Sequence, residues 1–325
     1  MSHSAFSLKR PLLRALDPLL AGMTAIASPL VWAVCRAGKN TPLSRAVLDR
    51  AGLALVRRHY YEPVVNSADI RKPLELERPL PGVDLNEAAQ LDLVKQFRFA
   101  NELKAIPITK PAVDQFGYEN STYAEGDAEM LYNMIRTFKP KRIIEVGSGQ
   151  STLMALLAIE ANRREDAGYE CKLTCIEPFE QPWLEALGVE VVRQRIEDCP
   201  DEIVTSLEAG DFFFIDSSHV IRPQGDVLHL YLYLMPQVAN GVFVHVHDVF
   251  VPRDYPKKWV VDDRRLWNEQ YLLEAFLSFN SAFEVVLAVN WLANAHGEKL
   301  GEACPMLARK PGKQPGAFWM RRRAA

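Results

Sequence analysis

The sequence has few cysteines and no paired cysteine motif. Its five cysteines, an odd number, include no Cys-x-x-Cys pair, which argues against a disulfide scaffold or a zinc ribbon and favours a reducing cytoplasm. An excess of one charge is also missing, since 38 Lys and Arg residues oppose 41 Asp and Glu residues. The chain therefore has no general attraction for nucleic acid, and a small molecule is the expected partner.

Long uncharged runs are scarce, and one of them lies near the N-terminus. Residues 18–35 carry no charge, and their number is close to the minimum that crosses a bilayer. Pro18, Pro29 and several small residues weaken the run, so a spanning helix and a cleaved signal peptide are both disfavoured. We expect a buried or interfacial helical hairpin here, with membrane association through residues 18–35 as the less favoured alternative to a purely cytoplasmic protein.

The pattern of the sequence changes near residue 126. Residues 1–125 combine helix-spaced apolar residues with proline breaks, which predicts a helical N-terminal extension with helices over 46–56 and 90–99. Residues 126–325 instead alternate short β-branched runs with helical stretches, which predicts a second domain with an α/β fold. The β-branched runs are 142–146, 172–176, 189–192, 212–215 and 242–246, and two later runs, 283–289 and 317–320, predict an edge hairpin. The expected sheet is doubly wound, seven-stranded and mostly parallel.

A glycine turn follows the first of these runs. Residues 143–152 pass from a β-branched run through Gly147-Ser148-Gly149 into an apolar helix pattern. Glycine has no Cβ, so the backbone N–H groups at the start of the helix can closely approach a ligand. The turn indicates a nucleotide-type pocket, although a bare Gly-x-Gly is a weak motif because ordinary turns also use glycine.

A carboxylate at the end of the second run supports this interpretation. Glu177 directly follows the run that ends at Ile176. In doubly wound sheets, ligands bind outside the carboxyl ends of the strands, where an acid can accept both hydroxyls of a ribose. We therefore interpret Glu177 as a ribose ligand rather than a solvated loop acid.

Four strand-end motifs follow one another in a family-specific order. They are Glu145-Val146-Gly147-Ser148-Gly149, Glu177, Phe214-Ile215-Asp216-Ser217-Ser218-His219 and Val244-His245-Val246-His247-Asp248. Through these motifs, roughly residues 118–322 resemble class I S-adenosylmethionine-dependent methyltransferases, which have a Rossmann-like fold. The resemblance is strongest to the bacterial small-molecule branch related to sugar and natural-product O-methyltransferases. One departure is that the third position of the glycine loop is Ser151 rather than glycine, a substitution that this branch tolerates and that argues against an NAD-dependent oxidoreductase.

The resemblance implies a site for S-adenosylmethionine. Gly147, Ser148 and Gly149 would wrap its methionine portion, above Glu145. Ile196 and Glu197 would border the adenine. The implied cofactor-binding residues are Glu145, Gly147, Ser148, Gly149, Ser151, Thr152, Glu177, Pro178, Ile196, Glu197, Asp216 and Ser217.

Acids and histidines at the ends of the fourth and fifth runs are the catalytic candidates. A hydroxyl acceptor must be held about 3 Å from the methyl group and needs a base or a metal beside it. Strand alternation places His245 and His247 on one face, and the later residue reaches the rim. The catalytic candidates are His219, His247 and Asp248, with a helix-capping or supporting role as the alternative for His219. Asp216, His247 and Asp248 would suit Mg²⁺ or another divalent cation, but metal dependence stays open because related metal enzymes carry an acidic pair here.

The segment after the fifth run supplies candidates for acceptor binding. A proline-bounded loop, residues 250–256, leaves the catalytic edge and carries aromatic and ionisable side chains. The substrate-binding candidates are Asp254, Tyr255, Trp267 and Tyr271. Core packing is the alternative for Trp267 and Tyr271, because they are four residues apart on a helix.

These features together predict methyl transfer from S-adenosylmethionine to a hydroxyl of a small molecule, such as a sugar or a secondary metabolite. The alternatives are an N- or C-methyltransferase of the same fold, an NAD-dependent oxidoreductase and a non-catalytic cofactor-binding protein. The apolar N-terminal third could bury itself against a twin subunit. Nucleic acid is not expected as an acceptor, because the sequence has no basic face interleaved with aromatic residues.

Overall fold

The computed structural model describes residues 10–57, 59–65 and 67–323. The chain divides into two compact units, and the boundary lies between Ile70 and Arg71. Residues 71–125, which the sequence pattern groups with the N-terminal extension, thus belong to the same compact unit as the sheet.

The first unit contains two helices, α1 (Arg10–Ala37) and α2 (Pro42–Arg50). The predicted hairpin in residues 18–35 is wrong, because α1 continues through both Pro18 and Pro29. Its alanine, leucine and methionine residues favour a helix strongly enough to outweigh two prolines. The α1 region is the one described segment that is long and apolar enough to cross a membrane by length and composition. The predicted helix over 46–56 ends at Arg50.

The helices of the second unit surround a sheet. Their bounds are α3 (Glu87–Val94), α4 (Ala100–Ala105), α5 (Asp127–Phe138), α6 (Gln150–Glu165), α7 (Glu202–Thr205), α8 (Asp226–His229), α9 (Glu269–Leu277), α10 (Val289–Ala295) and α11 (Gly297–Ala303). The predicted single helix over 90–99 is interrupted after Val94, where the N–H of Phe97 donates to the carbonyl of Val94. This turn buries the Phe97 ring in the core.

The sheet has seven strands and is mostly parallel, as predicted. The strands are β1 (Arg142–Val146), β2 (Lys172–Ile176), β3 (Glu190–Val192), β4 (Phe212–Ile215), β5 (Phe243–Val246), β6 (Phe283–Ala288) and β7 (Phe318–Arg322). Their order is β3-β2-β1-β4-β5-β7-β6, and β7 runs antiparallel to both of its neighbours. The predicted hairpin strands do pair, but α10 and α11 lie between them in the chain, and β7 occupies the inner position.

The hydrophobic core consists of two layers, one on each face of the sheet. In β4, Phe212 and Phe214 pack into one layer while Phe213 and Ile215 pack into the other. This alternation follows from the two-residue period of a strand. Because both faces are covered, β4 is apolar at every position.

The chain reverses direction across the sheet between β1 and β4. From β1 the sequence proceeds outward to β2 and β3, and then crosses to β4 and β5 on the other side. Loops at such a switch point diverge and leave a crevice at the carboxyl ends of the strands. The turns after β1, β2, β4 and β5 therefore meet at one edge.

Candidate active site

The turn after β1 is held tightly against the end of β4. The backbone of Gly147 has a φ of +78°, and a Cβ atom at this position would lie 2.0 Å from the carbonyl oxygen of Asp216. Gly147 also donates its N–H to the carbonyl of Ile176 at 3.0 Å. Glycine is therefore required here by both conformation and space.

The buried carboxylate of Glu145 stabilises the glycine turn. Glu145, on β1, accepts a hydrogen bond of 2.6 Å from the hydroxyl of Thr152, which in turn accepts the N–H of Gly149 at 2.9 Å. Burial raises the pKa of Glu145 to about 7, although hydrogen bonds from Ser151 and Thr152 oppose the rise. Glu145, Ser151 and Thr152 thus fix the shape of the turn.

Glu177 connects the end of β2 to the same turn. Its carboxylate accepts the backbone N–H groups of Ser148 at 3.3 Å and of Phe179 and Glu180 at 2.9 Å each. The side chain is buried. Three backbone donors therefore hold this carboxylate in place beside the glycine turn.

A cavity of about 450 Å³ opens beside Gly147 and Glu177. Its volume lies in the range of small-molecule sites. The predicted cofactor residues that line it are Gly147, Glu177, Pro178, Ile196, Glu197, Asp216 and Ser217. Within the part of the chain that the structure describes, five predicted cofactor residues do not line this cavity: Glu145, Ser148, Gly149, Ser151 and Thr152. Arg195 and Arg222, which the sequence interpretation missed, add positive charge to the cavity wall.

Two acids and a histidine form a cluster at the rim of this cavity. The Nε2 atom of His219 lies 3.2 Å from Asp216 and 3.5 Å from Asp248, and one donor atom of each residue lies within 4.8 Å of the others. His219 and Asp248 both have φ near +60°, a strained conformation for residues other than glycine that often occurs at functional sites. We call Asp216, His219 and Asp248 the acid–histidine cluster.

A fourth acid orients His219 from behind. The Nδ1 atom of His219 lies 2.8 Å from the carboxylate of Glu269, which also accepts the Ser217 hydroxyl at 2.9 Å. Glu269 is buried at the start of α9. The sequence interpretation missed this residue, because it lies 50 positions after His219 and no local pattern connects the two.

The pKa of each group in the cluster depends on burial and on the charged groups beside it. Burial opposes the charge on His219, but hydrogen bonds to Asp216 and Glu269 raise its pKa to about 10. Burial would also raise the pKa of Asp216, yet the imidazoles of His247 and His219 hold that pKa below its ordinary value. Burial raises the pKa of Asp248. At neutral pH, the cluster therefore contains a positive imidazolium between carboxylates.

His247 lies on the other side of Asp216. Its Nδ1 atom is 3.4 Å from Asp216, and its Nε2 atom is 3.6 Å from Asp127. His247 therefore remains beside the site, but the three-residue cluster contains His219 where the predicted metal set has His247. Tyr123 packs against His247 with ring centroids 4.9 Å apart, and this tyrosine has no motif by which the sequence could reveal it.

His245 is a core residue. It stacks on Phe214 at 4.2 Å and contacts Trp319 at 4.7 Å. Burial lowers its pKa well below the ordinary value, so the ring is neutral. His247, which directly follows β5, is the histidine that lies beside Asp216, and its catalytic role stays a prediction.

The predicted acceptor residues have diverse surroundings. Trp267 lies against His219, with ring centroids 4.2 Å apart. Tyr255 is buried and its hydroxyl accepts the N–H of Gln270, while the hydroxyl of Tyr271 donates to Asp254 at 2.9 Å. Of the four, Trp267 is in direct contact with the acid–histidine cluster, and acceptor binding by the others stays a prediction.

Comparison with solved structures gives similarities to methyltransferases at low identity. An O-methyltransferase, TomG, from Streptomyces achromogenes, involved in tomaymycin synthesis and solved in complex with SAM, is 15% identical, with 80% of this chain and 97% of that chain covered and a TM-score of 0.35. An O-methyltransferase from Bacillus cereus in complex with SAH is 14% identical, with 73% and 91% covered and a TM-score of 0.32. Similarities at this level do not define the reaction of this chain.

Sequence comparison covers the central part of the chain. An uncharacterized protein from Archaeoglobus fulgidus is 24% identical over 175 residues, which cover 46% of this chain and 72% of that protein. Residues 144–249 match the family model described as a methyltransferase domain, and this range contains Gly147, Glu177 and the acid–histidine cluster. The match agrees with the resemblance seen in the sequence: residues 144–249 are similar to a methyltransferase domain.

Proposed function

We propose that the chain binds S-adenosylmethionine in the cavity beside Glu177 and transfers its methyl group to an oxygen atom of a small molecule. The proposal rests on one observation: a single residue belongs both to the cavity and to the acid–histidine cluster. Asp216 lines the 450 Å³ cavity and also belongs to the acid–histidine cluster. A methyl donor in the cavity and an acceptor at the cluster would therefore lie within reach of each other.

The polar groups around the cavity suit this cofactor. Buried polar atoms need partners, and within the described residues the side-chain oxygens of Ser148, Gln150 and Tyr123 have none. They supply hydrogen-bonding capacity around the glycine turn for the amino and carboxylate groups of a methionine portion. Glu177 is positioned for ribose hydroxyls, and Ile196 offers an apolar contact for adenine.

The acid–histidine cluster supports an oxygen acceptor. S-adenosylmethionine supplies a methyl group on a positively charged sulfur, which an oxygen can attack in line. As the oxygen–carbon bond forms and the sulfur–carbon bond breaks, the hydroxyl proton has to leave, and the carboxylate of Asp248, whose pKa is raised by burial, can receive it. Glu269 keeps His219 aimed at this point. A neutral amine acceptor, by contrast, would not require such a group.

The same cluster has a donor set suited to a divalent cation. Two carboxylates and an imidazole are ligands that Mg²⁺, Mn²⁺ and related ions accept. Asp216, His219 and Asp248 would hold the ion, and it would lower the pKa of the acceptor hydroxyl. His219 would release its proton to bind, so we treat metal assistance as an alternative to proton transfer to the carboxylate of Asp248.

Aromatic side chains next to the cluster favour a ring-containing acceptor. The guanidinium of Arg265 lies between two indoles, 4.5 Å from the ring of Trp259 and 4.3 Å from that of Trp267. Trp267 in turn contacts His219. Aromatic side chains of this kind can stack on a sugar or an aromatic ring. This supports a sugar or a secondary metabolite as the acceptor class.

The proposal is tested by following a labelled methyl group. The full chain is incubated with S-adenosylmethionine labelled in the methyl group and a panel of phenols, sugars and amines, with and without chelator. We expect label on an oxygen atom, as identified by mass spectrometry and NMR of the product, and a loss of turnover in Asp248→Asn. Label on nitrogen or carbon would contradict the oxygen acceptor, and turnover in chelator that equals the untreated rate would contradict a metal.

A further inference from the structure

The helix α1 has no role in the proposed methyl transfer. The most apolar 18-residue window within residues 12–40 has a mean hydropathy of 1.7, and none of that window is buried. Large apolar side chains are exposed along it, including Leu19, Met23, Ile26, Leu30 and Trp32. Water-soluble surfaces rarely expose so much contiguous apolar area, which indicates that something covers this helix.

The dimensions of α1 match a lipid bilayer. Its 28 residues extend for about 42 Å at 1.5 Å per residue, and the hydrocarbon core of a bilayer is about 30 Å thick. The uncharged residues 18–35 account for about 27 Å of this length at the same rise. The apolar part is about 3 Å shorter than the core, a mismatch that local thinning of the bilayer or snorkelling of flanking side chains accommodates, so the helix can cross with little tilt.

The charge pattern favours crossing over lying on the surface. A helix that lies in the membrane interface carries a strongly charged face along its length, but residues 18–35 have no charged side chain on any face. Charged residues are confined to the two ends of the helix. Near its C-terminal end, the guanidinium of Arg36 lies 5.2 Å from the ring of Trp32, and tryptophan and arginine are the residues typical of a headgroup boundary.

The basic residues are unequally distributed about the apolar run. Within about 20 residues of the run, those before it are Lys9, Arg10 and Arg14, and those after it are Arg36, Lys39, Arg45 and Arg50. Acids offset each group by one residue, Asp17 before the run and Asp49 after it. Cytoplasmic segments next to membrane helices carry the excess of Lys and Arg, and anionic lipids of that leaflet attract them.

We propose that α1 crosses a phospholipid bilayer once, with the residues after Ala37 on the cytoplasmic side. The methyltransferase domain is then tethered to the inner membrane surface. This inference rests on the first unit alone and does not depend on the proposed methyl transfer.

The experiment uses the full chain expressed in a bacterial host. Membranes are washed with alkaline carbonate, which removes peripheral proteins, and the pelleted and soluble fractions are compared. We expect the native chain in the pellet. The double variant Ile26→Glu, Leu30→Glu puts two charges into the apolar run and should raise the soluble-to-pelleted ratio about tenfold or more. The matched control, Leu43→Glu, Val47→Glu, changes two exposed residues of α2 and should stay in the pellet.

Sidedness and processing are measured on the same cells. In intact spheroplasts, added protease should leave the methyltransferase domain whole until the membrane is permeabilised, and the intact mass should include α1. A soluble native chain, its release by carbonate, digestion before permeabilisation, or a mass that shows cleavage near residue 37 would each overturn the proposal. Cooperative thermal unfolding of the double variant, at the same temperature as for the native chain, provides the check that the second unit has folded.

Discussion

Replacing Glu177 with alanine should weaken the binding of S-adenosylhomocysteine by roughly two orders of magnitude. The carboxylate is buried beside the glycine turn, and three backbone N–H groups fix its position. If it also accepts both ribose hydroxyls, two charge-assisted hydrogen bonds of about 1.5–3 kcal/mol each are lost in the variant. Water replaces part of these hydrogen bonds in the variant. We therefore expect the binding free energy to weaken by about 2–4 kcal/mol, which raises Kd about 30- to 1000-fold.

The measurement is isothermal titration of the native chain and three variants with S-adenosylhomocysteine. Glu177→Gln keeps the length of the side chain but removes its charge, and it should fall between the native chain and Glu177→Ala. Glu160→Ala is the matched control, because Glu160 is an exposed acid of α6 that pairs with Arg164 and does not line the cavity among the described residues. It should bind like the native chain.

A folding defect has to be separated from a binding defect. Alanine at position 177 leaves three backbone donors without their acceptor, so thermal unfolding of each variant is measured alongside. Equal affinity of the native chain and a folded Glu177→Ala variant would refute the ribose assignment, and with it the placement of the cofactor in this cavity. Loss of affinity in Glu160→Ala as well would show that the effect is not specific.

Two further predictions concern the support of the site and the stability of the fold. Gly147→Ala places a methyl group 2.0 Å from the carbonyl oxygen of Asp216 at a φ of +78°; it should lower the free energy of unfolding by at least about 2 kcal/mol, as measured in urea, and a smaller change would contradict the tight contact. Burial raises the pKa of Glu129 from its ordinary value of 4.5 to about 7, although backbone N–H donors oppose the rise. Since the folded value is the higher one, the stability due to this group is full below pH 4.5 and is lost as the pH rises through about 7, a change of about 3 kcal/mol. The difference in unfolding free energy between the native chain and Glu129→Gln, measured from pH 4 to 8, should show this loss, and a flat difference would refute it.

Much of the sheet could be predicted because its signals are local. The β-branched runs give the strands, and the rule that ligands bind at strand ends places Gly147, Glu177 and Asp216 at one edge before any coordinate is known. The structure does bring these three together. The strand order alone is sufficient to place these three residues at the same edge of the sheet.

Other parts of the site depend on contacts between distant segments. Glu269 reaches His219 across 50 positions and Tyr123 reaches His247 from before β1, and neither residue stands in a motif. The hairpin prediction for residues 18–35 failed for a different reason. The prediction assumed that Pro18 and Pro29 break a helix, whereas the surrounding residues keep α1 continuous.

The inner position of β7 has a consequence for how the chain acquires its shape during synthesis. Of the seven strands, β7 leaves the ribosome last, yet it lies between β5 and β6. Until it arrives, β5 has an open edge, and β6 has no partner in the sheet. Unpaired edges attract other chains, so a nascent or truncated chain that lacks residues 318–322 should be especially prone to aggregation.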